Sequence, residues 1–306
     1  MSIPEIISLL TTVLVFTYVL LILMLIIGWF RIKPYHPQKI NHTTKLSIII
    51  PARNEEQNIA HCLHSILEQD YAHNLYEIIV VDDSSSDKTK PIVLDFIEKN
   101  RSRSITCISI AENPLIGSHK KRAITTGIQT SNGELIVTVD ADCTMGKKWL
   151  TTLVCFYNER LPSMIIGPVS ISHDRSMFSK LQSLDYAALM GVASGSAGLS
   201  SPLFCSGANI AFTKTGFQQV NGYDGYENVA SGDDLFLLKK FQDSFPGRIL
   251  HLKNKDAIVQ TIPVHSLKSF LNQRSRWASK GIHYTGLFLL FSSLVVYMTN
   301  VFLVIQ

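Results

Sequence analysis

Four short apolar runs, separated by amphipathic stretches, constrain this chain more than any other feature. Leu46–Ile50 is closed by Pro51, Tyr76–Val81 runs into Asp82-Asp83-Ser84, Ile105–Ile110 follows, and Leu135–Val139 runs into Asp140. Between them, residues 55–68 carry Ile59, Leu63, Ile66 and Leu67 at helical spacing, and helices are predicted over 89–99 and from about 118 to 130. Strands alternating with helices in this way imply parallel pairing through right-handed crossovers, an α/β fold with a mostly parallel, Rossmann-like sheet. Such sheets bind ligands beyond the carboxyl ends of their strands, where these acidic residues fall.

After Asp142 the rhythm changes. A helix is expected over 147–157, an extended segment over 164–171 and a helix from Phe178 to about Val192. Gly191–Ser206, rich in Gly and Ser, reads as mobile. A strand over 208–213 follows, then a turn at Gly222–Gly225 and a helix starting near Asp233. This half reads as a substrate-binding lobe completing the first sheet, not as a separate domain.

The ends of the chain differ from its middle. No charged side chain occurs from Ile6 to Phe30, a stretch of 25 residues, or from Tyr284 to Gln306. About 20 apolar residues cross a hydrocarbon core, so both stretches are long enough. A signal peptide has a shorter apolar region and a small-residue cleavage site. The first stretch instead runs into Trp29-Phe30-Arg31, an interfacial aromatic pair and a basic anchor. Arg31, Lys33 and Lys39 after it, and Lys268, Arg274, Arg276 and Lys280 before the second, predict an outside N-terminus and a cytoplasmic middle. The expected organisation is a transmembrane helix and anchor over 1–32, a catalytic domain over 45–262, an amphipathic interfacial helix over 263–283 and a second transmembrane helix over 284–306. An integral protein of the inner or plasma membrane follows, with the bilayer as partner. The net charge of +4 is largely membrane-proximal, and no basic patch with interleaved aromatics points to nucleic acid. Five cysteines without Cys-x-x-Cys pairing argue against zinc and a disulfide framework.

The acidic clusters carry the chemistry. Asp140 and Asp142, one residue apart at a strand end, can hold Mg²⁺ or Mn²⁺ against substrate phosphates. One of Asp82 and Asp83 can accept hydrogen bonds from a nucleobase, while Asp87 reads as a cap for the helix at Thr89. Of Lys120, Lys121 and Arg122, at least one is expected on a solvated face. A lysine at a helix start opposes the macrodipole, a cost tolerable if Lys120 meets a diphosphate. In Ser231-Gly232-Asp233-Asp234 one aspartate is expected to cap the helix, leaving the other for proton abstraction. Gln273, Arg276 and Trp277 share a helical face, either on the membrane surface or towards a sugar and a phosphate.

Taken together, the ordered set Pro51-Ala-Arg-Asn-Glu-Glu56, Val81-Asp-Asp-Ser84, Asp140-Ala-Asp142, Gly232-Asp-Asp234 and Gln273-x-x-Arg276-Trp277 resembles the membrane-bound family 2 glycosyltransferases, over about residues 45–280. That family includes cellulose, chitin and hyaluronan synthases and ceramide glucosyltransferases. The resemblance implies a GT-A fold flanked by transmembrane helices. It implies inverting, metal-dependent transfer from a nucleotide-diphosphate sugar, taken as a UDP-sugar, to a membrane lipid, lipid-linked or glycan hydroxyl. It assigns Pro51, Arg53, Glu55, Asp82 or Asp83, Lys120 and Asp140 to the nucleotide sugar and Asp140 and Asp142 to Mg²⁺ or Mn²⁺. Asp234, beside Asp233, is the base, and Gln273, Arg276 and Trp277 stand at the acceptor and diphosphate. His119 departs from the family's usual Gly, and Gly232-Asp233 from its Thr-Glu or Gly-Glu.

Other readings are a processive synthase with a shortened C-terminus, an inactive scaffold of the same fold and a nucleotidyltransferase. The intact acidic set argues against the scaffold, and the missing Gly-rich basic N-terminal loop against the nucleotidyltransferase. One helix after the catalytic region, where polymerising relatives have several, favours either truncation near Gln306 or addition of one or few sugars.

Overall fold

A computed structural model of the chain describes residues 2–38, 43–112, 118–173, 176–227, 229, 231–278 and 287–305. Lys39 and Lys280, used above for orientation, lie outside these residues, as does Tyr284. The chain opens with α1 (Ile3–Arg31), long and apolar enough to cross a membrane, with Arg31 in its last turn. There follow β1 (Leu46–Ala52), α2 (Ile59–Leu67), β2 (Tyr76–Asp83), α3 (Thr89–Lys99), β3 (Ile105–Ile110), α4 (His119–Thr130) and β4 (Leu135–Thr138). These agree with the expected elements to within a few residues. β1, β2, β3 and β4 are mutually parallel where they pair.

The second half adds β5 (Thr144–Met145), α5 (Trp149–Arg160), β6 (Met164–Ile166), β7 (Val169–Ile171), α6 (Met177–Gly198), β8 (Ile210–Thr213), α7 (Lys214–Gln219), α8 (Asp233–Ser244), β9 (Ile249–His251), β10 (Val259–Thr261), α9 (Leu267–Ala278) and α10 (Leu287–Ile305). The main sheet has the order β3-β2-β1-β4-β8-β6-β9, with β8 antiparallel to both neighbours. β5, β10 and β7 form a small second sheet. The extended segment 164–171 therefore divides at Gly167-Pro168 between two sheets. A Cβ at Gly167 would collide with Asn209, whose side chain bonds Pro168 O, Ala257 O and Trp149 Nε1 inside the fold.

The main sheet is buried on both faces, as a parallel sheet requires. Ile48 and Ile50 face one core with Leu63, Ile66 and Trp149; Ile49 faces the other with Ile124, Ile136 and Phe212. Glu77 ties the amino edge together: it accepts from Ser47 Oγ at 2.6 Å and from the Asn132 amide at 2.5 Å. Burial pushes its carboxyl up, but the bonds from Ser47, Asn132 and Gly133 outweigh that and hold it below the usual range. A depressed carboxylate stabilises the fold above its unfolded pKa and loses that contribution as pH falls through the folded value. Glu77→Gln is therefore expected to cost about 1–2 kcal/mol at neutral pH and less at an acid pH below the folded value, where the carboxyl is protonated. Urea titrations at both pH values measure it.

The Gly/Ser stretch after Gly191 corrects the sequence reading. It is helix as far as Gly198, not a mobile loop, because small residues there let α6 lie against α1. A Cβ on Gly28 would strike the Gly195 carbonyl, one on Gly195 the Leu25 carbonyl, and one on Gly198 the Gly28 carbonyl. Backbone approach of this kind is the packing that small residues permit between apolar helices. Lys253 fixes the other side of the same helix end. It donates to Trp29 O at 3.0 Å and Ile32 O at 3.2 Å and stands 3.2 Å from the Trp29 ring centroid.

Candidate active site

The carboxyl ends of β1, β2 and β4 and the amino ends of α4 and α8 open into one cavity of about 970 Å³, closed on its far side by α6 and α9. Pro51, Arg53, Glu55, Asp83, Lys120 and Asp140 line it, and so do Asp142, Asp233, Asp234, Gln273, Arg276 and Trp277. Asp82 does not. Successive strand residues point to opposite faces, so with Asp83 turned to the cavity Asp82 is buried behind it. The turns after β1 and β2 interlock: the Asn54 amide donates to Ser85 Oγ and Asn54 Oδ1 accepts from the Ser86 amide. Asn54 and Ser84 both hold positive φ, 58° and 57°, a strained backbone of the kind found at functional sites. Asp87 accepts from the Thr89 amide and hydroxyl and from the Glu56 amide, so it braces both turns.

At one end of the cavity Asp83 sits among Arg122, Arg53 and His119. Its Oδ1 takes Arg122 Nη2 at 2.5 Å, while His119 Nδ1 lies 2.8 Å and Arg53 Nη1 3.8 Å from Oδ2. Among the described residues Oδ2 receives no well-aligned donor, which leaves a buried acceptor for an incoming N–H. The expectation of a solvated face for one of the three basic residues fails. Lys121 is 2% exposed and donates to Tyr226 O and Val229 O, and Arg122 holds Asp83.

Lys120 occupies the middle, 2.6 Å from Asp140 Oδ1 and 3.4 Å from Asp233 Oδ2. Burial works against its charge, but Asp140, Asp233 and Asp234 more than compensate, so its pKa lies well above the ordinary lysine value. Asp142 is different: burial and then the Asp140 charge push its carboxyl up, against hydrogen bonds from Thr261 Oγ1 and Cys143 Sγ. Glu55 is likewise raised, by burial first and by Asp142 and Asp140 after. Cys143 is buried and its thiol pushed far up, consistent with a bystander. Carboxylates raised by burial and then by one another's charge fit a cation. Among the described residues no group of three or more His, Cys, Asp and Glu could hold a metal by itself. Asp140 and Asp142 thus suit an ion whose remaining ligands come from phosphates and water, the habit of Mg²⁺.

At the start of α8 the N-cap is Gly232, with φ 84°, not an aspartate. Asp233 goes to Lys120, and Asp234 Oδ1 accepts the Leu235 amide at 2.9 Å. Across the cavity Trp277 lies against Tyr186, centroids 6.0 Å apart, and Tyr186 donates to Ser206 Oγ at 3.0 Å. Sequence reasoning missed Tyr186, Thr261 and Arg122. Arg122 was within reach, two residues from Lys120 in the same basic run; nothing local marks Tyr186 or Thr261.

Comparison with known proteins accords with this arrangement. A profile described as Glycosyl transferase family 2 matches residues 47–219, and one described as Glycosyl transferase family group 2 matches 135–305. YdaM of Bacillus subtilis, named a probable glycosyltransferase, is 26% identical over 248 residues, 80% of this chain and 57% of that protein. Hyaluronan synthase of Streptococcus pyogenes is 28% identical over 254 residues, 79% of this chain and 58% of that one. The chain thus spans less than two thirds of the length of these curated relatives. Among solved structures, mannosyltransferase PcManGT of Pyrobaculum calidifontis, in complex with GDP-Man and Mn²⁺, superposes with a TM-score of 0.72 at 18% identity, covering 98% of this chain and 86% of that one. Residues 1–349 of Staphylococcus aureus TarS, in complex with UDP-GlcNAc, give 0.54 at 23% identity, covering 72% and 59%. The fold is therefore that of the GT-A glycosyltransferases, and the chain belongs to glycosyl transferase family 2.

Proposed function

We propose that the chain is a membrane-anchored, metal-dependent, inverting glycosyltransferase. It moves a sugar from a UDP-sugar to a hydroxyl of a membrane lipid, a lipid-linked molecule or a glycan. One observation carries this reading: Asp83, the Asp140–Asp142 pair, Asp234 and the Gln273-Arg276-Trp277 face all line a single cavity. Asp83 takes the N–H of the base. Lys120 neutralises the diphosphate that leaves; Asp140 and Asp142 would hold Mg²⁺ or Mn²⁺, which would supply further positive charge there. Asp234 accepts the proton of the acceptor hydroxyl as its oxygen bonds the anomeric carbon and the diphosphate oxygen departs from the opposite face. Gln273, Arg276 and Trp277 stand on the acceptor and diphosphate side.

Under this reading α1 is the anchor, α10 a second membrane helix and the catalytic domain cytoplasmic, with Arg31, Lys33, Lys268, Arg274 and Arg276 on the cytoplasmic side. The hyaluronan synthase relative favours a second version, a processive synthase. A panel of UDP-sugars with GDP-mannose, scored for nucleoside diphosphate release in membranes, tests the proposal. Release is expected with one UDP-sugar, lost with EDTA and restored by Mn²⁺. No release from any donor, or full release in EDTA, overturns it. Product length separates single from repeated addition.

A further inference from the structure

Three consecutive basic residues open α4, and the chemistry above uses the first and the third. Lys120 stands between Asp140 and Asp233, and Arg122 holds Asp83. Lys121 is 2% exposed and lies behind the cavity wall. Its ammonium donates to Tyr226 O and Val229 O, each at 2.8 Å, and stands 4.6 Å from the centroid of the Phe236 ring. These contacts bracket the acidic pair: Val229 comes four residues before Asp233, and Phe236 two residues after Asp234. The segment that turns from α7 into α8 is thus gripped on both sides of its two carboxylates.

The neighbouring packing serves the same grip. The Tyr226 ring stacks on Phe236 at 4.1 Å, with 16° between their planes. Gly232, with φ 84°, stays bare because a Cβ there would come within 2.8 Å of the Phe236 ring. A buried ammonium is costly unless it is paired. Both neighbouring helix ends oppose it, since Lys121 sits in the first turn of α4 and against the first turn of α8, where the macrodipoles are positive. Two carbonyls and a ring face offset that cost. A methionine would fill the same space with no charge to bury. What the ammonium adds is direction: it fixes where two particular carbonyls lie relative to α4.

We propose that Lys121 is a positioning residue for the proton-accepting carboxylate: it ties the segment that carries Asp233 and Asp234 to the first turn of α4, and so sets Asp234 in register with the bound donor. The proposal rests on the reading of Asp234 as the base. Asp234 Oδ1 accepts the Leu235 amide of its own helix, so the carboxylate goes where the start of α8 goes. Lys120, Lys121 and Arg122 leave α4 about 100° apart and reach three parts of one site: the diphosphate position, the segment carrying the base and the nucleobase acceptor Asp83. One turn of helix therefore joins recognition of the nucleotide to placement of the proton acceptor. A misplacement of about 1 Å can cost about 10²-fold in rate, so a grip on backbone carbonyls behind the wall reaches the chemistry without touching substrate.

The test is a mutant cycle on the full chain in membranes, with the UDP-sugar that supports release as donor and UDP as the binding probe. Lys121→Met keeps the length of the side chain and removes the ammonium. Its kcat is expected to fall about 30–100-fold, with donor KM and the Kd for UDP within about threefold of wild type. Lys121→Gln, which keeps a donor for the carbonyls without a buried charge, is expected to lose about tenfold. In an Asp234→Asn background, either substitution is expected to lower kcat by less than about threefold more, because a carboxamide gains nothing from being aimed. Additive losses, or a UDP affinity that falls in step with kcat, overturn the proposal and leave Lys121 a packing residue. If Lys121→Met does not fold, Lys121→Gln carries the same cycle, and full kcat in that variant overturns the proposal as well. The two readings fail separately. Full turnover in Asp234→Asn removes the base, whereas lost turnover there with an additive cycle keeps the base and removes the grip.

Discussion

Asparagine at position 234 is expected to abolish transfer and to leave donor binding nearly intact. The substitution keeps the size of the side chain and its oxygen for the Leu235 amide, now 2.9 Å away, but the amide cannot take a proton. General-base catalysis contributes about 10²–10⁴-fold. The expected result for Asp234→Asn is therefore a fall in kcat of about 10³-fold with donor KM within about threefold. Asp233→Asn is the internal control. Its carboxylate faces Lys120 at 3.4 Å, so its loss acts on donor KM more than on kcat. Isothermal titration with the non-reacting nucleoside diphosphate gives binding independently of turnover. Lost binding with normal residual turnover in Asp234→Asn would assign the base to another group.

The site was legible where local sequence dictates geometry. Apolar runs that stop at Pro51, Asp82 and Asp140 fix three strand ends, and parallel pairing brings them to one edge. Helical spacing alone gives Gln273, Arg276 and Trp277 a common face. What was not legible depends on partners distant in sequence. Glycine disfavours helix by about 1 kcal/mol relative to alanine, so Gly195 and Gly198 read as loop until α1 is seen to require them bare. Lys121 looks like solvated charge until Tyr226 and Val229 present their carbonyls to it across more than a hundred residues. The antiparallel insertion of β8 between β4 and β6 leaves no mark in either strand. Thr261 reaches Asp142 only because the small second sheet sets β10 beside β5.

Lys120→Met is expected to weaken donor binding by about 100-fold, near 2.7 kcal/mol, and to cost less in fold stability than in affinity. Glu55, Asp140, Asp142, Asp233 and Asp234 share the cavity wall, and Lys120 is the cation set between Asp140 and Asp233. Without it a diphosphate enters against uncompensated like charge. The ammonium is about a third exposed, so water screens part of the loss in the free protein, and about 1 kcal/mol of stability is at stake. Because its pKa is raised in the fold, that contribution is present throughout the neutral range and disappears only as pH rises through the folded value. Two further results separate a ligand role from a structural one. Raising Mn²⁺ tenfold is expected to recover part of the lost affinity in Lys120→Met, since under the proposed function the ion and the ammonium would neutralise the same phosphates. Lys120→Arg, which keeps charge but not the compact head, is expected to bind more tightly than Lys120→Met and more weakly than wild type. A variant with unchanged donor affinity and only a lowered Tm would make Lys120 a counter-ion for the acidic wall and nothing more. The neutralisation of the leaving diphosphate would then fall to Arg276 and to the ion that Asp140 and Asp142 would hold.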